Sequence, residues 1–229
     1  MSRRGFTLIE LLVVVAIIAI LISIVMPAMA AARRSGEAAT CLSQMREIGM
    51  ATSAYMMDND DYFPRSSHSA LAYGVLPWGY AIIPYLGRGV YTGPGPDWDE
   101  LFNKVYRCRQ DPRRDCWSYG KNVWFELASG ETGELAGTAE GPTYTKSSDV
   151  IHPSTTILYG ELGSGSMGDH IMAHFWYLGG IPEVDAKRHG ATSNYAYVDG
   201  HADAQVFKST FDQDAGIDLW KPGPLVIAK

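Results

Sequence analysis

The chain has 229 residues, a formal net charge of −6 and 46% hydrophobic residues, enough for one ordinary folded domain with an appendage. The acidic excess excludes a protein that works by neutralising nucleic-acid phosphates. It contains no nucleophile elbow, phosphate loop or paired-carboxylate motif, so the expectation is a protein that is not an enzyme.

The first element is apolar all round. Leu8 to Val25 contains only two polar residues, Glu10 and Ser23. Phe6 to Val25 as a helix would span about 30 Å, the thickness of a bilayer core. No second run of this kind follows, so one N-terminal segment is expected to meet the membrane. Arg3 and Arg4 before it favour a cytoplasmic N-terminus, with the acidic remainder outside the cytoplasm. Glu10 stands out, because a carboxylate at the centre of a bilayer helix costs about 2.5–3.5 kcal/mol and calls for a partner.

The helical pattern continues past Pro27, where a bend is allowed. Ala38, Cys41, Leu42, Met45, Ile48, Gly49, Thr52, Tyr55 and Met56 recur at three- and four-residue spacing and share one stripe. The chain therefore divides into a spanning helix over 6–27, an amphipathic continuation over 28–57 and a head over 58–229. Asp58-Asn59-Asp60-Asp61 ends the helix, and a loop rich in Gly, Pro and aromatics runs to about Asp99. Tyr73, Trp78, Tyr80 and Trp98 in that loop are expected to pack inside rather than form a contact surface.

Strands are predicted over Val105–Arg109, Val123–Leu127, Thr155–Tyr159, Tyr195–Val198 and Gln205–Lys208, all rich in β-branched and aromatic residues. The last two flank Asp199-Gly200-His201-Ala202 and should form a hairpin. Ser129 to Gly141 is polar and Gly-rich and reads as a mobile loop. The predicted class is α+β, a long helix packed on an antiparallel sheet.

Three cysteines, Cys41, Cys108 and Cys116, allow one disulfide and one thiol. Cys108 and Cys116 could close a small loop, or Cys41 could tie the long helix to the head. The longer closed loop favours the second. His170 and His174 have the four-residue spacing of a helical zinc pair, but the Glu of that motif is missing and Phe175, Trp176 and Tyr177 suggest packing. His68 and His152 read as loop residues.

The stretch "RRGFTLIELLVVVAIIAILISIVMPA" resembles the N-terminus of type IV pilin-like proteins, including the pseudopilins of type II secretion. The resemblance implies a leader over 1–5, cut by a prepilin peptidase between Gly5 and Phe6, and methylation of the new Phe6 amine. It implies assembly with other pilin-like subunits on an inner-membrane platform, into a pilus- or pseudopilus-type filament. In such a bundle Glu10 of one subunit would meet the Phe6 amine of its neighbour, a paired charge that sets the axial stagger. "HGATSNYAYVDG" is similar to a His/Asp-Gly motif of a subset of these proteins, placing His189, Asp199 and Gly200 in it. "CLSQMREIGMATSAYMMDNDDYFP" resembles the same subset, whereas "YRCRQDP" carries Arg109 where its members have Pro.

His189 has two readings. In one it joins Asp199 and His201 in a docking surface or ion site. In the other it enters the strand before the hairpin, Asp199 caps the turn and Gly200 supplies a positive φ, and turn chemistry favours this one. Relatives among the major pseudopilins hold Ca²⁺ in a C-terminal loop, which makes Asp212, Asp214 and Asp218 near Gly216 candidate ligands. The alternative to the whole reading is a twin-arginine-type export signal, cut after Ala30 to release a soluble periplasmic protein.

Overall fold

The computed structural model describes residues 7–223. Its first element is a single 51-residue helix, α1 (Leu8–Asp58), with Pro27 inside it. Thr7 starts the helix with a capping box, its hydroxyl accepting from Glu10 N at 3.3 Å while Glu10 accepts from Thr7 N at 2.8 Å. Asn59 ends it, its side chain donating to Tyr55 O at 2.8 Å, and Asp60 and Asp61 follow with positive φ. From Leu8 to Gly36 every residue of α1 is exposed. Beyond that, Cys41, Gln44, Met45, Ile48, Gly49, Ala51, Thr52 and Met56 are buried. The apolar stripe of the second half is thus the face that packs on the head.

The head carries a five-stranded sheet in the order β3-β1-β2-β4-β5. Its strands are β1 (Tyr119–Asn122), β2 (Ile157–Glu161), β3 (His170–Ile171), β4 (Ser193–Tyr197) and β5 (Ala202–Gln205). All neighbours are antiparallel except β1 and β3, which pair in parallel through Lys121↔His170 and Asn122↔Ile171. The β4–β5 hairpin turns through Val198–His201, with Ser193 opposite Gln205 and Ala196 opposite Ala202. A separate two-stranded ribbon joins β6 (Phe211–Asp212) to β7 (Ile217–Asp218). The architecture is α+β: one long helix laid across a sheet that is antiparallel but for one edge pair.

Helix and sheet are joined by polar contacts inside the apolar core. Thr52 Oγ1 lies 2.9 Å from Tyr159 Oη, and Tyr119 Oη donates to Gln44 Oε1 at 2.6 Å. Gln44 in turn donates to Lys104 O and Arg107 O, so each buried amide atom is satisfied. Trp78 is fully buried and donates to Asp169 O at 2.8 Å. Tyr80 and Trp98 are half-buried and stacked on each other, whereas Tyr73 is exposed under the Arg65 guanidinium. Lys121 and Glu126 form an ion pair of 3.0 Å with neither side chain exposed. Glu126 also accepts from Ser66 N and Ser69 Oγ.

Several elements differ from the sequence expectation. Val105–Arg109 is not a strand: a π-helical turn, Phe102–Tyr106, extends the short helix α3 (Pro96–Leu101). α3 is preceded by one further short helix, α2 (Trp78–Ala81). Periodicity cannot separate a short apolar strand from a short buried helix. Val123–Glu126 is a 3₁₀ turn capped by Asn122, which accepts from Trp124 N, and the strand precedes it as β1. Lys121 and Asn122 are fully buried there, so the polar residues masked the strand. The run at Gln205–Lys208 gives way to a 3₁₀ turn, Phe207–Ser209, because β5 pairs earlier, from Ala202 to Gln205. Ser129–Gly141 is not a mobile loop: it contains a helix, α4 (Ser129–Ala136), closed by Gly137 with φ 73°.

Candidate assembly helix and its clamp to the head

The exposed half of α1 is built of residues that water does not tolerate in such density. Its most apolar 18-residue window has a mean hydropathy of 3.2, and none of that window is buried. Among the described residues α1 alone is long and apolar enough to cross a membrane. Leu, Ile and Val point outward on every side, so this half needs lipid or like helices around it. Glu10 is the only acid on α1 before Glu37, and its Oε2 accepts from Thr7 N and Thr7 Oγ1, both at 2.8 Å. Gly5 and Phe6 lie outside the described residues.

Where α1 meets the head, two fastenings hold it. Cys41 on the helix is bridged to Cys108 in the loop after α3, with a Cα–Cα distance of 5.2 Å, and Cys116 is a half-buried free thiol. His189 sits against that bridge, its Nε2 3.8 Å from Cys108 Sγ. Its Nδ1 lies 2.9 Å from Gln110 Oε1 and its Nε2 lies 2.8 Å from Glu161 Oε1. Gln110 reaches back to the helix, donating to Arg34 O. Glu161 is fully buried on β2, and Ser193 Oγ and Asn194 N each donate to its other oxygen at 2.9 Å. Glu161 and Gln110 do not stand out in the sequence: one ends an apolar strand and the other sits in a charged loop.

The second fastening is the Asp199-Gly200 turn. Gly200 has φ 89°, a conformation that favours glycine. Asp199 accepts from His201 N at 3.1 Å and pairs with its ring, which stacks on Tyr197. The turn presses on α1 at Gly49, where an added Cβ would meet Gly200 O at 2.9 Å. His189 and Asp199 therefore stand at opposite ends of β4 with separate partners, and His201 joins Asp199 rather than His189.

The other candidate ligands are dispersed by local structure. His170 is on β3, 3.2 Å from Asp169 Oδ1, and His174 is in the 3₁₀ turn Ala173–Leu178. The chain between them is not α-helical, so their spacing does not bring them onto one face. His174 is buried beside Trp124 and Phe175, and that burial pushes its pKa down to about 4. In the β6–β7 ribbon Phe211 pairs with Asp218 and Asp212 with Ile217. Paired residues share a face and neighbours alternate, so Asp212 and Asp218 point to opposite sides. Asp212 accepts from Asp214 N and Ala215 N; Asp218 accepts from Trp220 N and Lys221 N, and burial raises its pKa. The carboxylates of Asp212 and Asp218 thus each hold a separate turn, on opposite sides of the ribbon.

Residues 1–26 match the family model described as the prokaryotic N-terminal methylation motif. The chain is 39% identical over 61 residues to the type IV wide pilus major component PilA4 of Thermus thermophilus, a match covering 27% of this chain. The chain spans 47% of the length of that curated relative. No solved structure matches. In its methylation-type N-terminus and the one long helix that follows, itself packed on a sheet, the chain is similar to type IV pilins. The export-signal alternative finds no support: the motif covers the stretch it would need, and α1 runs unbroken through Ala28-Met29-Ala30.

Proposed function

We propose that the chain is a prepilin-like subunit, cut between Gly5 and Phe6, methylated at Phe6 and polymerised through α1 into a type II secretion or type IV pilus-like filament. The observation that carries this is the unbroken α1, apolar from Leu8 to Val25, exposed on every side as far as Gly36, and burying one face on the head from Cys41 onward. Before assembly the exposed half is a single-pass anchor in the inner membrane, with the N-terminus cytoplasmic and the head periplasmic. During assembly the same surface leaves lipid for the helices of neighbouring subunits. A prepilin peptidase and a membrane assembly platform are the partners this requires. The work of the head is contact and transport rather than catalysis.

Glu10 has two tasks on this reading. In the lone subunit it caps its own helix through Thr7, which holds the carboxylate at the helix start. In the filament it accepts the Phe6 ammonium of a neighbour, and a carboxylate paired in a low-dielectric bundle is far less costly than a lone one. The test is N-terminal sequencing and intact mass of protein from host membranes, with Glu10→Val alongside. The expected start is methylated Phe6, and Glu10→Val should be inserted and cleaved but absent from filaments. A start at Ala31, or normal filament incorporation of Glu10→Val, would end the reading.

A further inference from the structure

We propose that the head binds a small, flat, uncharged molecule with a hydrogen-bond acceptor on its edge, in a cavity of about 430 Å³ between α4 and the β6–β7 ribbon. That volume lies within the range of small-molecule pockets, about 300–1,000 Å³. Stretches far apart in the chain wall it: the turn holding Trp124, the end of α4, the segment around Tyr144, the turn Ala173–Leu178 and the ribbon itself. Trp124, Tyr144 and His174 are each more than nine-tenths buried and form its floor, whereas Tyr177 and Leu178 are exposed on its rim. Tyr144 and His174 stand at 79° and 74° to the Trp124 ring. A ring-shaped guest therefore meets aromatic faces and edges, the contacts such rings prefer.

Two nitrogens of that floor lack a partner. Trp124 Nε1 and His174 Nδ1 are closed off from bulk water and bond to no protein group among the described residues. Buried polar groups are paired with few exceptions, and each exception calls for an explanation. Of the four such groups among the described residues, these two line one cavity, and the other two are the Tyr195 and Tyr197 hydroxyls on β4. An indole N–H only donates, so what Trp124 lacks is an acceptor. Reaching it takes a small displacement of the wall, and Tyr177 and Leu178 on the exposed rim are the side chains free to move.

The charge of the lining sets the charge of the guest. Asp218 and Lys221 are its two charged side chains, one of each sign. Asp218 Oδ1 already accepts from Trp220 N and Lys221 N, and Lys221 Nζ stands over the Trp124 ring, 5.8 Å from its centroid. Burial holds the His174 pKa down to about 4, so at neutral pH its ring adds no charge. An ion entering the cavity would give up its hydration with no counter-charge to spare, whereas a neutral ring would not. The mostly apolar wall and the orphaned donor together select a neutral aromatic body with an acceptor, a ligand chemistry separate from filament assembly through α1.

The experiment uses the full chain in detergent with ¹⁵N-labelled tryptophan, and coumarin as the probe, a neutral pair of fused rings with a carbonyl acceptor. The Trp124 indole signal is assigned by its loss in Trp124→Phe. We expect coumarin to move that signal downfield and saturably, and naphthalene at equal free concentration, which has no acceptor, not to move it downfield. Trp124→Phe keeps a ring and removes the donor, so coumarin affinity by equilibrium dialysis should fall about three- to tenfold. Ala136→Trp, at an exposed position of the cavity wall, should abolish saturable binding and leave thermal unfolding unchanged. Absence of a saturable Trp124 shift, or wild-type affinity in Ala136→Trp, would overturn the proposal. So would tighter binding of a carboxylated, anionic coumarin than of coumarin itself.

Discussion

Replacing Cys41 and Cys108 together by Ser tests the clamp between helix and head. The bridge closes a loop with a sequence separation of 67, and the chain-entropy relation for that length gives about 4 kcal/mol at 25 °C. The loop includes the end of α1 and the aromatic segment from Tyr62 to Tyr106, so its release frees a large share of the head in the unfolded chain. A fragment beginning at Ala31 is suitable for the assay, because the part of α1 it lacks is exposed throughout. Urea unfolding followed by tryptophan fluorescence should show the midpoint falling by about 1.5–2 M, taking a slope of about 2–3 kcal/mol/M for a chain of this size. Thiol titration of the denatured wild-type fragment, purified under oxidising conditions, should find only Cys116. A midpoint shift under about 0.3 M, or three titratable thiols in that material, would refute the argument.

Gly49→Val should lower stability by about 1–3 kcal/mol, because its side chain meets the Gly200 backbone, which cannot rotate away. Gly36→Ala, with nothing within 4 Å, should instead gain up to about 1 kcal/mol of helix stability, and equal thermal shifts for the two would discredit the turn-on-helix contact. Lys121→Met should cost about 3–5 kcal/mol by leaving Glu126 buried without its cation. Adding Glu126→Gln should recover much of that loss, and a double mutant weaker than the single one would argue that the pair is not the cause. His174 has its pKa lowered to about 4 in the folded state against an ordinary 6.5, so between those values the unfolded chain binds the extra proton. Stability should therefore fall as pH drops from 6.5 toward 4, by about 1–2 kcal/mol after allowing for solvent screening. His174→Gln should flatten that slope in pH-dependent unfolding, and an unchanged slope would remove His174 as its source.

The two-part helix is legible because its evidence is local. An apolar run of membrane length and a stripe at three- and four-residue spacing depend only on near neighbours along the chain. The Asp-Gly hairpin is legible for the same reason, since a two-residue turn signal needs no distant partner. Strand positions in the head were harder. β1 contains Lys121 and Asn122, whose burial is made tolerable by Glu126, Ile157 O and Trp220 O, groups supplied from elsewhere in the fold. A polar residue at a core position gives no sign of itself until its partner is known. The apolar run at Val105 failed the other way, because burial rather than strand pairing explains its composition.

The sequence by itself determined the long helix, the apolar segment with Glu10 inside it and the hairpin. Those features follow from composition and spacing over a few dozen residues. Only the tertiary structure decided which cysteine meets Cys41, that His189 meets Glu161 rather than Asp199, and that Gly49 and Gly200 touch. The Cys41–Cys108 bridge joins positions 67 apart, and His189 lies 28 residues from Glu161 and 79 from Gln110. Pairings across such separations are chosen by how the whole core packs, and no local pattern encodes them.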